Sequence, residues 1–153
     1  MRIAIASDHA GFELKRELTP FISSLGHEVT DLGALTYAPG DDYPDFAEAL
    51  GLAVKEGKAD RGVLVCGSGV GASVAVNKIA GIRAAVCHDT YSAHQGVEHD
   101  DMNVLVMGSR VVAIELVKEL VRSFLGARFS GEERHARRLG KVKAIEARFC
   151  GER

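Results

Sequence analysis

The chain has 153 residues, of which 46% are hydrophobic and 26% charged, with a formal net charge of −2. This length suits one domain with a real core, and the composition is that of a globular protein. No stretch approaches the roughly 18–20 apolar residues of a membrane span, and the first residues lack the apolar run of a secretory signal. We therefore expect one domain, residues 1–153, in the cytoplasm and without a membrane partner.

The charge is unevenly distributed along the chain. Residues 1–125 carry a net charge of −6, and residues 126–153 carry +4. The acidic body argues against nucleic-acid binding, which needs a broad basic face. The basic segment from about residue 130 to residue 153 is expected to be a helix and tail. It forms either a solvated surface or a source of cations for an anionic ligand.

Short β-branched segments alternate with amphipathic segments in chain order. The pattern predicts strands at 2–7, 28–32, 62–66, 84–87 and 103–107, and helices at 12–25, 46–56, 70–80, 91–98, 111–125 and 132–148. This alternation is typical of the α/β class. We expect a three-layer, doubly wound, Rossmann-like sheet of five parallel strands in the order 2-1-3-4-5, with a C-terminal helix. Such sheets bind ligands beyond the carboxyl ends of strands 1 and 3.

The loop predicted after strand 3 is unusual, with the sequence Cys66-Gly67-Ser68-Gly69-Val70-Gly71. Alternate glycines allow a tight turn that exposes consecutive amide N–H groups, and a helix N-terminus stabilises anions. A thiolate at Cys66 could abstract a proton while the amides hold the resulting oxyanion. The alternative is a plain turn with a buried thiol. The spacing matches neither a dinucleotide fingerprint nor a P-loop.

The loop after strand 1 contains Asp8 and His9. Asp8 either caps a helix or holds sugar hydroxyls, and His9 is either exposed or binds a phosphate. Tyr43, fixed before a proline, is a candidate substrate contact. The other two cysteines, Cys87 and Cys150, show no paired or metal-ligand spacing, and Cys87 is expected to be a small buried side chain.

Two further features have open interpretations. Arg134 and Arg138 are four residues apart on the predicted last helix, so they share one face. They either bind a phosphate through paired guanidinium groups or belong to a solvated surface. His99 follows the fourth helix, at the amino end of the sheet and opposite the expected site, where it is a surface or capping residue by itself.

Taken together, these segments resemble the B-type ribose-5-phosphate isomerase family, which includes galactose-6-phosphate isomerase subunits. The resemblance covers nearly the whole chain. The segments that carry it are Ser7-Asp8-His9-Ala10-Gly11, Asp42-Tyr43-Pro44-Asp45, Cys66-Gly67-Ser68-Gly69-Val70-Gly71, Asn77-Lys78-Ile79-Ala80-Gly81-Ile82-Arg83-Ala84, Ser92-Ala93, Asn103-Val104-Leu105 and Arg134-His135-Ala136-Arg137-Arg138.

The resemblance implies an aldose–ketose isomerase that works through a cis-enediol without a metal or an organic cofactor. Cys66 would move the proton, Ser68 would assist at a hydroxyl, and His99 would open the sugar ring. The implied substrate contacts are Asp8, His9, Tyr43, Gly67, Gly69, Val70, Gly71, Asp100, Arg110, Arg134 and Arg138. The implied assembly is a homodimer with sites shared between subunits, or a tetramer of two such dimers. A shared site also explains how His99 could act from the wrong end of its own sheet.

Two departures from the family pattern concern the substrate. Asp100 stands where the family usually has asparagine, and Val97 stands where an arginine is usual. Ribose 5-phosphate, converted to ribulose 5-phosphate, is the first expectation. A tetrose or hexose phosphate, such as erythrose 4-phosphate or galactose or allose 6-phosphate, is the alternative. A phosphosugar-binding module without catalysis is a rival from another class, and a redox flavoprotein is disfavoured by an aromatic content of 6%.

Overall fold

Five parallel strands form the central sheet of the computed structural model, which describes residues 1–150. The strands are β1 (Arg2–Ser7), β2 (Glu28–Asp31), β3 (Arg61–Cys66), β4 (Ala84–Val86) and β5 (Val104–Gly108). The helices are α1 (Phe12–Ser24), α2 (Tyr43–Lys55), α3 (Val70–Val76), α4 (Thr90–Asp100), α5 (Ile114–Gly126) and α6 (Glu133–Phe149). The predicted α/β class and the parallel pairing are confirmed.

The strand order is β2-β1-β3-β5-β4, so the predicted order 2-1-3-4-5 is wrong at its last two positions. β5 pairs with β3 from Gly62↔Val104 to Cys66↔Gly108, and β4 lies outside it. Burial explains the exchange, because every residue of β5 is buried whereas β4 is short and only partly buried. A strand that is apolar throughout belongs inside a parallel sheet. The loop after β5 is thereby placed beside the loop after β3.

Helices cover both faces of the sheet and complete the three predicted layers. Buried side chains of α1, α4 and α5 form one hydrophobic core against the sheet, and those of α2 and α3 form the other. Because strand side chains alternate between faces, β3 contributes Val63 and Val65 to the first core and Leu64 and Cys66 to the second. α6 lies outside these layers against α4. None of the helices within residues 1–150 is long and apolar enough to cross a membrane.

Helix boundaries depart modestly from the predicted ones. α2 begins at Tyr43 rather than at residue 46, with Pro44 in its first turn, where the missing N–H of proline has no helical partner to lose. α3 ends at Val76 rather than at residue 80, and Asn77 follows it. The side-chain amide of Asn77 donates to the carbonyl of Ala84 and accepts the Ala84 N–H, both at 2.9 Å. This pairing covers the outer edge of β4.

Lys15 fixes the segment that follows β2. It lies on α1 and is only 1% exposed, yet its Nζ donates to both carboxylate oxygens of Asp31, at 2.7 and 2.9 Å, and to the carbonyl of Ala34. A buried ammonium is tolerated when it is paired and hydrogen-bonded in this way. The start of the loop between β2 and α2 is therefore held against α1.

Candidate active site

A cavity of 310 Å³ opens where the carboxyl ends of β1, β3 and β5 meet. It is lined by Asp8, His9, Ala10, Tyr43, Cys66, Gly67, Ser68, Gly71, Arg110 and Val111. These residues come from the loops after the three strands and from the starts of α2 and α3. The fold therefore gathers most of the predicted site residues into one place.

Cys66 is the last residue of β3 and is 4% exposed, at the inner wall of the cavity. The backbone N–H of Gly69 donates a hydrogen bond to its Sγ over 3.1 Å. This hydrogen bond fixes the position of the sulfur relative to the turn. The turn therefore presents Cys66 in a setting that suits a base or a nucleophile.

The turn around Cys66 has a shape that only glycine permits at Gly69. Its φ is +83°, in the left-handed region, and a Cβ there would lie 3.1 Å from the backbone carbon of Met107. The loop after β5 holds the same turn, since Ser109 N–H donates to the Cys66 carbonyl at 2.8 Å and Arg110 N–H to the Gly67 carbonyl at 3.0 Å. The two loops therefore form one rigid wall.

Tyr43 and Gly71 form the opposite wall by direct packing. A Cβ on Gly71 would lie 2.7 Å from Cζ of the Tyr43 ring and 3.0 Å from its two Cε atoms. Glycine at this position thus lets the ring lie flat against α3. Tyr43 is 41% exposed, so its other side faces the cavity and solvent.

Two amides of the glycine-rich turn are engaged within the turn itself. Gly69 N–H donates to Cys66 Sγ, and Val70 N–H donates to Ser68 Oγ at 3.2 Å. Neither Gly69 nor Val70 lines the cavity, whereas Gly67, Ser68 and Gly71 do. The amides at positions 69 and 70 therefore serve the thiol and the turn in this conformation.

Asp8 caps a turn and also lines the cavity. One carboxylate oxygen accepts the Gly11 N–H at 3.1 Å and so caps the 3-10 turn His9–Gly11. The carboxylate also lines the cavity and is 7% exposed. A side chain held in this way can accept further hydrogen bonds from a polyol without losing its orientation.

His9 is hydrogen-bonded by Asp41, a residue of the loop between β2 and α2. Asp41 Oδ1 bonds the His9 ring at Nδ1 over 2.7 Å and accepts the His9 backbone N–H at 3.0 Å. The ring of Tyr37 meets His9 edge-on, with centroids 6.3 Å apart. Within the described residues, Asp8, His9 and Asp41 are the group whose potential metal-ligand atoms lie within 4.8 Å of one another. Of these, Asp8 Oδ1 bonds the Gly11 N–H, and Asp41 Oδ1 bonds His9.

Arg110 enters the cavity because β5 lies beside β3. Its guanidinium carbon lies 3.5 Å from the position that a Cβ on Gly67 would occupy. Ser109 Oγ donates to the carbonyl of Ala10 at 2.7 Å, which ties the loop after β5 to the loop after β1. Arg110 and His9 are therefore two cationic or potentially cationic groups at one opening.

His99 lies elsewhere, near the end of α4 and at the amino edge of the sheet. Cys66 lies at the other edge, and five residues of parallel strand between the two edges span about 16 Å. Its ring stacks on the buried His135 ring of α6, with centroids 4.0 Å apart and planes at 25°. Gln95 Nε2 lies 2.8 Å from Nδ1 of His99, and Ser130 Oγ lies 2.6 Å from Nδ1 of His135.

Arg134 and Arg138 lie on α6 beside this histidine pair, not in the cavity of their own chain. Both are exposed, and Arg134 Nε pairs with Glu132 at 3.0 Å. Asp100 is exposed at the end of α4. Val97 is fully buried in the hydrophobic core.

Comparisons with known proteins agree with this geometry. The family model described as Ribose/Galactose Isomerase matches residues 3–142. The chain belongs to this family.

Relatives within the ribose/galactose isomerase family match the chain along most of its length. Ribose-5-phosphate isomerase B of Escherichia coli is 47% identical over 147 residues, which are 96% of this chain and 97% of that protein. D-erythrulose-4-phosphate isomerase of Pectobacterium atrosepticum is 41% identical over 131 residues, 86% of each chain. The solved structure of ribose-5-phosphate isomerase B from Clostridium thermocellum is 46% identical, with a TM-score of 0.93, covering 97% of this chain and 99% of that one.

The three cysteines differ in burial and in their surroundings. Burial, followed by the negative charge of Asp89, raises the pKa of Cys87 to about 11. Cys87 is 3% exposed and lies in the hydrophobic core, so at neutral pH it is a protonated thiol, as the sequence suggested. Cys150 is exposed at the end of α6. Only Cys66 combines a cavity position with a donor aimed at its sulfur among the described residues.

Sequence reasoning missed two residues that hold site histidines. Asp41 was visible only as part of the acidic segment before α2, and its contact with His9 spans 32 positions. His135 was visible only inside the basic motif of α6, and its stacking on His99 spans 36 positions. In each case the residue type indicated a possible hydrogen-bonding or stacking partner, but only the folded structure shows which histidine it contacts.

Proposed function

We propose that this chain interconverts an aldose phosphate and its ketose isomer, with ribose 5-phosphate and ribulose 5-phosphate as the substrate pair. Family membership and the names of the relatives support the reaction class. The observation that carries the proposal is the Cys66 sulfur in the cavity wall, with the Gly69 N–H 3.1 Å from it. This is the arrangement expected of a thiolate that moves a proton.

The chemistry needs a base, donors for an enediolate and no external oxidant. One carbon of the substrate is oxidised while its neighbour is reduced, so electrons stay within the sugar. Cys66 takes the proton from C2 of the open-chain aldose and, after partial exchange with solvent, returns a proton to C1. The hydroxyl proton of the enediol passes from O2 to O1 in the same conversion. Ser68 and the turn around Gly67 and Gly71 line the cavity where the developing oxyanion would lie.

The remaining cavity residues differ in charge and therefore suit different parts of the substrate. Asp8 and Tyr43 suit the sugar hydroxyls, because both offer oxygen atoms at the cavity wall. Arg110 and His9 suit the phosphate, because a guanidinium and an imidazolium donate charge-assisted hydrogen bonds to its oxygens. The substrate would then span the opening from Cys66 to Arg110.

Ring opening requires a second copy of the chain. His99 lies at the opposite edge of the sheet from Cys66, and Arg134 and Arg138 lie beside it on α6. We propose a homodimer in which His99 and these arginines reach the cavity of the other copy, with a tetramer of two such dimers as the larger form. Exposed apolar side chains support a covered surface next to the cavity, since Val70 and Val74 of α3 are 59% and 58% exposed.

Mixing two inactive variants tests both the chemistry and the shared site. Cys66→Ala and His99→Ala proteins are each expected to lose turnover of ribose 5-phosphate. After subunit exchange at equal amounts, half of the dimers are mixed, and each mixed dimer has one site with both residues intact. Activity is then expected to return to about a quarter of the wild-type value. No recovery in a mixture shown by mass spectrometry to contain mixed dimers would contradict the shared site.

Erythrose 4-phosphate is the second candidate substrate. One relative is a D-erythrulose-4-phosphate isomerase at 41% identity, and the exposed Asp100 departs from the usual family residue beside His99. Incubation with C4, C5 and C6 aldose phosphates in heavy water distinguishes the substrates by deuteration at C2 and by ketose formation. Exchange only with the C4 compound would reassign the substrate. Exchange with none would favour a phosphosugar-binding module and overturn the enzyme proposal.

A further inference from the structure

Asp41 makes contacts that the proposed isomerase reaction does not account for. Its side chain lies in the loop between β2 and α2 and is 12% exposed, and it does not line the cavity. Its Oδ1 bonds both the ring Nδ1 of His9, at 2.7 Å, and the His9 backbone N–H, at 3.0 Å. Its Oδ2 is buried and has no hydrogen-bond partner within the described residues. Both hydrogen bonds of this carboxylate therefore come from His9.

This arrangement fixes the state of the His9 ring. An ionised carboxylate only accepts, so Nδ1 of His9 carries the proton in the 2.7 Å contact. The other ring nitrogen, Nε2, is then left for the cavity that His9 lines. A neutral ring of this tautomer offers a lone pair at Nε2, whereas a protonated ring offers a second N–H.

We propose that Asp41 is a positioning residue that holds the His9 ring through Nδ1, so that Nε2 is directed at the cavity, where it meets the phosphate of the substrate. Asp41 itself touches no substrate and acts only through His9. The identity of the bound anion rests on the proposed function. The pairing of Asp41 with His9 is independent of it.

The other groups around His9 do not replace Asp41. A carboxylate oxygen of Asp8 lies within 4.8 Å of a His9 ring nitrogen, but Asp8 also caps Gly11. Tyr37 meets the ring edge-on, and the guanidinium of Arg110 lies in the same cavity and repels a second cation. An anion bound between His9 and Arg110 would contact both side chains.

Two substitutions separate orientation from charge. Asp41→Asn keeps an oxygen that accepts the Nδ1–H but removes the negative charge, and Asp41→Ala removes both. Asp42→Asn is the matched control, because Asp42 is exposed, lies next in the chain and makes no side-chain cap bond to α2. Inorganic sulfate is the probe, since its charge is constant between about pH 5 and about pH 9, the range over which histidine titrates.

The test follows His9 by nitrogen NMR of histidine-labelled protein during sulfate titrations, alongside KM and kcat for ribose 5-phosphate. Wild type and Asp42→Asn are expected to show a proton on Nδ1 of His9. Asp41→Ala is expected to lose that preference, to weaken sulfate binding about tenfold or more and to raise KM more than it lowers kcat. Asp41→Asn, which keeps an oxygen that accepts the Nδ1–H, is expected to keep the proton on Nδ1 and to bind sulfate more tightly than Asp41→Ala does.

Three results would overturn the proposal. These are a wild-type His9 without a proton on Nδ1, sulfate affinity in Asp41→Ala equal to wild type, or a His9 without a proton on Nδ1 in Asp41→Asn. The last applies even if Asp41→Ala does not fold. Absence of isomerase activity combined with the expected sulfate results would instead refute the proposed function and leave the pairing of Asp41 with His9 intact.

Discussion

Replacing Gly71 with alanine should damage the site without destabilising the fold. The added Cβ would lie 2.7 Å from Tyr43 Cζ, whereas ordinary contacts begin at 3.4 Å. The ring must therefore move by about 1 Å, and a displacement of that size in a site can lower kcat/KM about 100-fold. Within a helix, alanine is favoured over glycine by about 0.5–1 kcal/mol, which offsets part of the strain.

The assay is kcat/KM for ribose 5-phosphate together with the free energy of unfolding in urea. Tyr43→Ala supplies the control background, because it removes the ring that the new Cβ would meet. Gly71→Ala should then add little further loss to the Tyr43→Ala variant. An equal loss in both backgrounds would refute the steric argument, and so would wild-type kinetics in Gly71→Ala alone.

Cys66→Ala should abolish turnover yet keep sulfate binding, whereas Cys87→Ala should keep turnover. Iodoacetamide at neutral pH should label Cys66 in preference to Cys87, because the pKa of Cys87 is about 11. Labelling of Cys87 first would contradict this assignment. Arg134→Ala and Arg138→Ala should each raise KM about 10- to 150-fold through loss of charge-assisted bonds of about 1.5–3 kcal/mol, and an unchanged KM in both would remove them from the phosphate site. Burial, the N-terminal ammonium and Arg61 lower the pKa of His27 below its ordinary value of 6.5. The unfolded chain therefore binds more protons at this histidine than the folded chain does. The free energy of unfolding then falls as the pH drops below about 6.5. His27→Gln should flatten the difference in urea midpoint between about pH 7.5 and about pH 5.5, and an unchanged slope would argue against this contribution.

Local patterns predicted most of the fold. Near-continuous apolar segments such as Gly62–Cys66 indicated strands covered on both faces, and the glycines after Cys66 indicated a tight turn at a strand end. These signals act over a few residues, so sequence alone contains them. The positions of β4 and β5 were not available in this way, because they depend on how buried two short apolar strands become relative to each other.

The site was predictable where its residues follow strands and unpredictable where they meet across the chain. Asp8 and Cys66 end up together because the carboxyl ends of β1 and β3 are neighbours. Arg110 entered the prediction only through the family resemblance. It lies in the cavity because β5, and not β4, is the neighbour of β3. Asp41 reaches His9 across 32 positions through a long loop, for which periodicity gives no signal. His99 is a different case, because its proposed role needs a second copy of the chain.

The side chain of Asn77 has a consequence for how copies of this protein can associate. A free strand edge is a template on which another chain can add a strand, and it is a common route to aggregation. At β4 the donor and the acceptor of Ala84 are already occupied by the Asn77 amide, which acts as a short substitute for a neighbouring strand. Growth of the sheet across that edge is blocked at this residue. Self-association is thereby directed to the helical surfaces, where exposed apolar side chains lie next to the cavity.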